Sequence, residues 1–599
     1  MRTKIVSGLV CMLLLCTALP ALALGTSMSS SSAGGSQSNK ISSSSRDGWS
    51  LQWSHDYGGM GHSQFKQPVG DLDGDGVNEV AIGGYESIGY FRLISYVDGT
   101  YQEEYSYHPP GSGYDIPTGA AIVDLDGDGT LELIVAYGYT EADGVYVYHW
   151  DGTTMTQLDY YHGSELNFIY DVYAVDYNED GNLEVLVSNA CWSSYQYYVV
   201  ALEWVNGHLQ YKTGWSCPSG NGGECCMVSS GDINNDGHDE IVADVTYADS
   251  YTYGTWMLTW NSDTETFDGT SIWTDYGSNT VYGDCVGDIN GNGIPEIGIG
   301  SYGGECTAWL FEWDGSSFQK VYEQTWPGGQ WIIESVDIGD VDNDGHNEFC
   351  YGGGNVHVLG WNGTAYVMEH IFTDTSNMEA GMNVGDFDSD GLNELKACEI
   401  ISSTGYEYIW KYADATPPMT TCALDGTIVG SVYVSDVTVT LSATDTGSGV
   451  ALTKVKVDDG AWSDYTAPIV VITEAAHSVS YYSVDRMGNT EQTKTTPFTI
   501  WKQPIFDVKL HGGLAVTMKI KNVGPGNLSA VHWSLKLEGA HVMLGKGSSG
   551  TIHSLTMGQS VTEKMPVLGF GKVAVKATVG AYSFNATGFL FLFGIIGVR

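Results

Sequence analysis

Seven closely similar acidic loops at near-constant spacing, four short apolar strands around each, and turn-rich alternating segments after residue 416 predict an all-β chain. The expected fold class is a seven-bladed β-propeller followed by two β-sandwich (Ig-like) domains. The first loop reads Asp71-Leu-Asp73-Gly-Asp75-Gly76-Val77-Asn-Glu79, and copies begin at Asp71, Asp124, Asp176, Asp232, Asp288, Asp340 and Asp386, separated by 46 to 56 residues. Position 1 is always Asp, position 6 always Gly and position 9 always Glu, while positions 3 and 5 admit only Asp or Asn.

Oxygen donors at alternate positions 1, 3 and 5, a glycine that permits a sharp reversal, and a carboxylate at position 9 can wrap one hard cation. Calcium suits this set best, because it accepts six to eight oxygens in flexible geometry and the position 7 carbonyl can complete the shell. The candidate ligands are Asp71, Asp73, Asp75, Val77 and Glu79 in loop 1, and Asp124, Asp126, Asp128, Thr130 and Glu132 in loop 2. Loop 3 offers Asp176, Asn178, Asp180, Asn182 and Glu184; loop 4 offers Asp232, Asn234, Asp236, His238 and Glu240. Loop 5 offers Asp288, Asn290, Asn292, Ile294 and Glu296, loop 6 Asp340, Asp342, Asp344, His346 and Glu348, and loop 7 Asp386, Asp388, Asp390, Leu392 and Glu394. Up to seven Ca2+ ions are expected. An EF-hand needs its bidentate Glu at position 12, where this chain has the apolar Ile82 and Val135 in the first two copies. A single such motif is also an ordinary turn; seven in register argue for the metal.

At 599 residues with 42 % hydrophobic content the chain has material for several cores. A formal net charge of −48 argues against a nucleic-acid or anionic-membrane partner, both of which select basic patches. The loops alone hold 24 carboxylates, which seven calcium ions would offset by +14, so calcium is expected to be structural.

Met1-Arg-Thr-Lys4, an apolar run from Val10 to Leu22 and Ala21-Leu-Ala23 have the three parts of a secretory signal peptide, assigned to 1–23, with a lipoprotein anchor at Cys16 as the alternative. Beyond it remain nine cysteines, an odd number that outside the cell implies a free thiol or an intermolecular bond. Zinc competes for Cys217 with Cys225-Cys226, but no second pair has the spacing of a closed site, and a local disulfide or buried thiols are expected instead. Residues 24–47, with two serine runs, read as a flexible linker.

From 48 to 415 each repeat reads as four strands. In the second they are Gly119 to Val123, Glu132 to Ala136, Val145 to Trp150 and Met155 to Tyr160, with Asp151-Gly152 turning the last hairpin. Equivalent turns are Asp98-Gly99, Asn206-Gly207, Asp314-Gly315 and Asn362-Gly363. The seventh repeat meets Thr416-Pro417-Pro418 in place of a fourth strand, and Trp49 to Tyr57, similar to Ser271 to Tyr276, is expected to supply it and close the ring.

These loops, followed by apolar-Gly-Gly segments such as Ala81-Ile-Gly83-Gly84-Tyr85 and Tyr351-Gly-Gly-Gly354, resemble the FG-GAP/VCBS repeats of integrin α-subunit propellers and their prokaryotic relatives over residues 49 to 414. The calcium motif matches closely, whereas the Phe-Gly and Gly-Ala-Pro elements are degenerate. Loop 5 departs most and is expected to bind calcium most weakly, since affinity follows ligand charge. The resemblance implies calcium loops on one face and a binding surface on the other. There lie His108 to Tyr114, His162 to Glu165 and Trp326 to Trp331, whose aromatics suit either ligand stacking or packing between sheets.

Residues 416–502 alternate as strands (Val432 to Ser442, Val450 to Val457). Asp445-Thr-Gly-Ser-Gly449 and Tyr481 through Asp485 to Gly488-Asn489 resemble motifs of bacterial Ig-like repeats, with a further cation site weighed against plain turns. Residues 503–599 weakly resemble CARDB-like domains, and the apolar stretch Gly588 to Val598, too short to span a bilayer, is expected to be a buried last strand.

No His-Glu-x-x-His, Gly-x-Ser-x-Gly or phosphate-loop signature is present, and no glycosidase-like carboxylate pair can be singled out, Glu165 and Glu334 being examples between repeats. Two functions stand. The favoured one is a secreted or cell-surface calcium-binding module for adhesion or capture of a glycan or protein ligand; the other is a carbohydrate-active enzyme such as a polysaccharide lyase.

Overall fold

The computed structural model describes residues 48–599, apart from 58–66, 85–89, 108–115, 139–143, 192–196, 217–221, 248–251, 278, 304, 328–332, 374, 376–377, 402–403, 446, 503–504 and 525. The expected leader and serine-rich linker lie outside the described residues, as do most of the turns at 108–114 and 326–331. Among the described residues the elements are all strands, and the chain divides into two compact units, Met1–Ala413 and Asp414–Arg599.

The first unit is a β-propeller of antiparallel four-stranded sheets. The expected second repeat is found as Ile116–Val123, Glu132–Gly138, Gly144–Trp150 and Met155–Tyr161, hydrogen-bonded in chain order. In each repeat the acidic loop joins the first strand to the second, because position 9 is the first residue of a β-branched run that is fully buried, as in Glu132–Gly138. The third and fourth sets of strands are joined edge to edge: Glu184–Cys191 outruns its inner neighbour Ile169–Val175, and Ala190 and Cys191 pair with Glu224 and Gly223.

Apolar clusters between consecutive sheets supply the core. Leu72 and Leu93 meet Leu133, Tyr148 and Trp150 between the first and second sheets. Val80, Ile82 and Ile94 meet Phe387 and Ile409, which ties the first sheet to the last. Ring closure follows the sequence expectation: Trp49–Asp56 pairs antiparallel with Thr404–Tyr412, from Trp49 opposite Tyr412 to Asp56 opposite Tyr406. Trp49 is buried there against Phe372 and Tyr412.

The hairpin turns are of two kinds. Asp98-Gly99 and Asn206-Gly207 have φ of 53° and 84°, and 54° and 83°, which is the two-residue turn that the dipeptides suggest. Asp151, Asp314 and Asn362 instead accept the backbone amides two and three residues ahead on a side-chain oxygen, which widens those turns. A Ser or Thr follows the glycine in all three, and its hydroxyl donates to the same oxygen.

In the second unit, two layered cores succeed one another. The sheet built on Val437–Thr444 faces the sheet built on Val450–Val457 and Ala476–Asp485 across Val439, Val455, Val479 and Phe498. The sheet Phe506–His511, Ala515–Asn522, Ser560–Pro566 then faces a five-stranded sheet across Met518, Leu535, Val575 and Leu590. The final apolar stretch is a strand but not a buried one. Leu590 and Ile595 point inward, whereas Phe589, Phe591, Leu592, Phe593 and Ile596 are exposed. The cause is the period of two: a run apolar at every position has one row too many for a sheet with a single covered face.

Candidate metal centres

Backbone geometry is the same in all seven loops. The position 6 amide donates to the position 1 carboxylate, from Gly76 to Asp71 at 3.0 Å through Gly391 to Asp386 at 2.9 Å. The position 7 amide donates to position 5, as Val77 to Asp75 at 2.8 Å. These bonds turn the side chains back over the loop. Position 6 has φ between 84° and 94° in every copy, which is why only glycine stands there. Position 4 is also left-handed throughout, including Glu179, Asn235, Asn343 and Ser389 at 58° to 62°, a constraint that sequence reading missed because four residue types occupy it.

Position 9 closes each site from the strand side. Glu79, Glu132, Glu296, Glu348 and Glu394 each spend one oxygen on the position 2 amide at 2.7 to 3.0 Å. Burial, with the loop aspartates adding repulsion, pushes the carboxyls of Glu79 up to about 8 and Glu132 up to about 7. The same causes push Glu184 up to about 8 and Glu240 up to about 7. Buried, crowded carboxyls of this kind are what a bound cation relieves.

The structure sorts the loops by position 3. Carboxylate oxygens of Asp71, Asp73 and Glu79 lie within 4.8 Å of one another, as do those of Asp124, Asp126 and Glu132, of Asp340, Asp342 and Asp344, and of Asp386, Asp388 and Glu394. In loop 1, Asp71 Oδ1 is buried with no hydrogen-bond donor, as a ligand oxygen should be. These all-oxygen sets fit calcium. In loops 3, 4 and 5 position 3 is Asn, and its amide donates to the position 9 glutamate: Asn178 to Glu184 and Asn234 to Glu240, both at 2.6 Å, and Asn290 to Glu296. Asn290 also donates to Glu312 at 3.1 Å and Tyr366 at 3.2 Å, so loop 5 is the most self-satisfied.

Loop 7 holds a feature that sequence reading did not find. The Lys411 ammonium lies 2.7 Å from Asp388, 2.6 Å from Asp390 and 2.8 Å from Glu394, and these carboxylates hold its own pKa up. Lys411 belongs to the strand Thr404–Tyr412, opposite Glu394 across the ladder. Position 8 was also missed: Asn78, Asn347 and Asn393 donate to the position 1 carbonyls of the neighbouring loops, Asp386, Asp288 and Asp340, at 2.7 to 2.9 Å.

Elsewhere, most aromatics preceding the hairpin turns pack on neighbours, Trp150 on Tyr105 and Trp260 on Tyr177. Trp326 packs on Tyr351 and His357. Glu334 is buried and its carboxyl is pushed up to about 8, while Glu165 accepts the Tyr161 hydroxyl at 3.0 Å. Cys225, Cys226 and Cys350 are thiols that burial holds well above their ordinary pKa; Cys217 lies outside the described residues. In the second unit Asp445 and Asp485 come together with Asp414, their oxygens within 4.8 Å. Gly447 and Gly449 amides hold Asp445, Ser448 holds Asp414 and Asn489 holds Asp485, so turn formation accounts for most of these oxygens.

Residues 71–135, 124–187 and 288–351 match the FG-GAP-like repeat. No curated protein matches the sequence. Similar solved structures include BBS1N in complex with ARL6DN, soaked with mercury, at 13 % identity and TM-score 0.41, covering 62 % of this chain and 99 % of that one. The Dos1 propeller is similar at 11 % identity and TM-score 0.39, covering 60 % of this chain and 96 % of that one. The chain therefore carries FG-GAP-like repeats within a β-propeller.

Proposed function

We propose that this chain is a calcium-stabilised binding module: a seven-bladed propeller, displayed outside the cell through its serine-rich linker, with Ig-like and CARDB-like domains following it. The reading rests on one observation above all, the seven loops with one pattern of backbone amide bonds to the position 1 carboxylate, four of them with three carboxylate groups within 4.8 Å. Calcium would neutralise the loop carboxylates and lock each sheet's first two strands together. The ligand, a glycan or a protein, would be taken by the turns between sheets, since loops on a rigid scaffold commonly carry recognition.

Calorimetric calcium titration of the full chain, with melting followed in parallel, tests the metal. Uptake of six or seven ions with a rise in melting temperature is expected; no uptake would reduce the loops to turns. A glycan array run in calcium, with capture of sugar lost on chelation, tests the ligand class, and silence there moves the assignment to a protein ligand.

A further inference from the structure

The last sheet leaves one face uncovered. Its strands run in the order Gly547–Leu555, Leu528–Leu544, Leu568–Val579, Tyr582–Leu592, Gly594–Ile596. Val573, Val575, Ala577 and Val579 point to the core, so the alternate residues point out. At one end of that outer face Phe570 stands opposite Phe591, with ring centroids 5.2 Å apart, and Phe589 lies 5.8 Å from Phe570. Ile596 is opposite Phe589, and Leu592 and Phe593 continue the row into the turn. The six are 37 to 65 % exposed. Met543 and Leu544, 75 % and 56 % exposed, stand at the end of the adjoining strand, where Leu544 pairs with Leu568. An apolar cluster of this extent on one sheet end marks an interaction site.

Charge on the same face says what covers it. Lys572 is directly opposite Phe589, and Lys576, paired with Glu538 at 2.5 Å, is opposite Lys536 two rows further back. Residues 503–599 carry nine Lys and Arg against three Asp and Glu, whereas residues 1–502 carry 15 against 69. The end of an otherwise strongly acidic chain is basic, and Lys572 sits one row behind Phe570 and Phe591. From the Phe570 row to the Lys572 row is two residues, about 7 Å at roughly 3.4 Å per residue. That matches the depth from acyl chains to headgroups for an apolar edge buried in a membrane interface. The phenylalanines, leucines and isoleucine offer no hydrogen-bonding group, which suits hydrocarbon, and the ammonium groups suit lipid phosphates. Among the described residues no helix is long and apolar enough to cross a membrane.

We infer that this sheet end docks on an anionic lipid surface, Phe570, Phe589, Phe591 and Phe593 entering the interface with Lys572 at the headgroups and Lys536 and Lys576 adding positive charge behind it. The inference stands apart from the calcium loops. Flotation of the full chain at constant calcium, with vesicles of phosphatidylcholine plus phosphatidylserine and of phosphatidylcholine alone, tests it. Co-flotation with the anionic vesicles, reduced by salt, is expected. The double variant F591S/F593S, whose side chains are exposed and whose melting should match the parent, is expected to lower binding roughly tenfold or more. K572E/K576E is expected to remove the preference for phosphatidylserine. Flotation with neither vesicle, or flotation indifferent to F591S/F593S, overturns the inference. So does a concentration-dependent dimer that F591S/F593S abolishes, which would give the face to a second copy.

Discussion

Loops 1, 2 and 6 have Asp at position 3 where loops 3, 4 and 5 have Asn, and the difference reaches the whole site. With Asp at position 3, three carboxylate groups converge and need a positive partner. With Asn there, an amide N–H turns to the position 9 glutamate and supplies part of that partner from within. Loop 7 has the acidic set yet brings its own cation, Lys411. The backbone frame is common to all, so one scaffold carries three solutions to the same excess of negative charge.

Removing calcium should separate these classes most. Each tight site at an ion concentration of 100 Kd adds about 2.7 kcal/mol, so chelation is expected to lower the melting temperature by roughly ten degrees or more in scanning calorimetry. An unchanged transition would mean that all seven loops are self-sufficient. Exchange at position 3 comes next. D126N in loop 2 should weaken one calcium site by about tenfold, and N178D in loop 3 should tighten one by a similar factor, both read by titration calorimetry. Equal affinities would erase the distinction.

The charge state of the glutamates gives a smaller, signed effect. Glu79 and Glu184 hold their protons up to about 8, above the ordinary carboxylate value, mainly through burial. Without calcium the folded state therefore binds more protons than the unfolded one. The stability this contributes is full below about 4.5 and is lost as pH rises through about 8. Calcium uptake at pH 7 should release protons, measurable as a buffer-dependent binding heat. The smallest change is expected from K411M, which should add one calcium ion to the stoichiometry at nearly constant melting temperature in calcium; no added ion would show that loop 7 is closed to metal for another reason.

What could be read from the chain was whatever repeats. Asp at position 1, Gly at position 6 and Glu at position 9 recur without exception because each has one task that no other residue performs there. The closing strand was legible because Trp49 to Tyr57 repeats a pattern found elsewhere in register. Long-range partners were not. Lys411 comes from a strand after its loop, and nothing local marks it; Asp414 joins Asp445 and Asp485 only once the chain has folded. The exposure of Phe591 and Phe593 was hidden for a different reason: alternation cannot show which row faces out when both rows are apolar.

The seam of the propeller also decides how it would answer a pulling force. Trp49 is opposite Tyr412, and Ala413 N–H donates to Gly48 C=O, so the chain enters and leaves the unit at the same corner. Tension between residues 48 and 413 loads the rungs of this strand pair one after another, as a zipper is opened, and does not shear them together. What resists once the first rungs part is the far side of the seam, where Asn78 bonds to Ser389 and to the Asp386 carbonyl beside two of the acidic loops. Calcium bound in those loops, as proposed, would then also set how much load the ring bears before it opens.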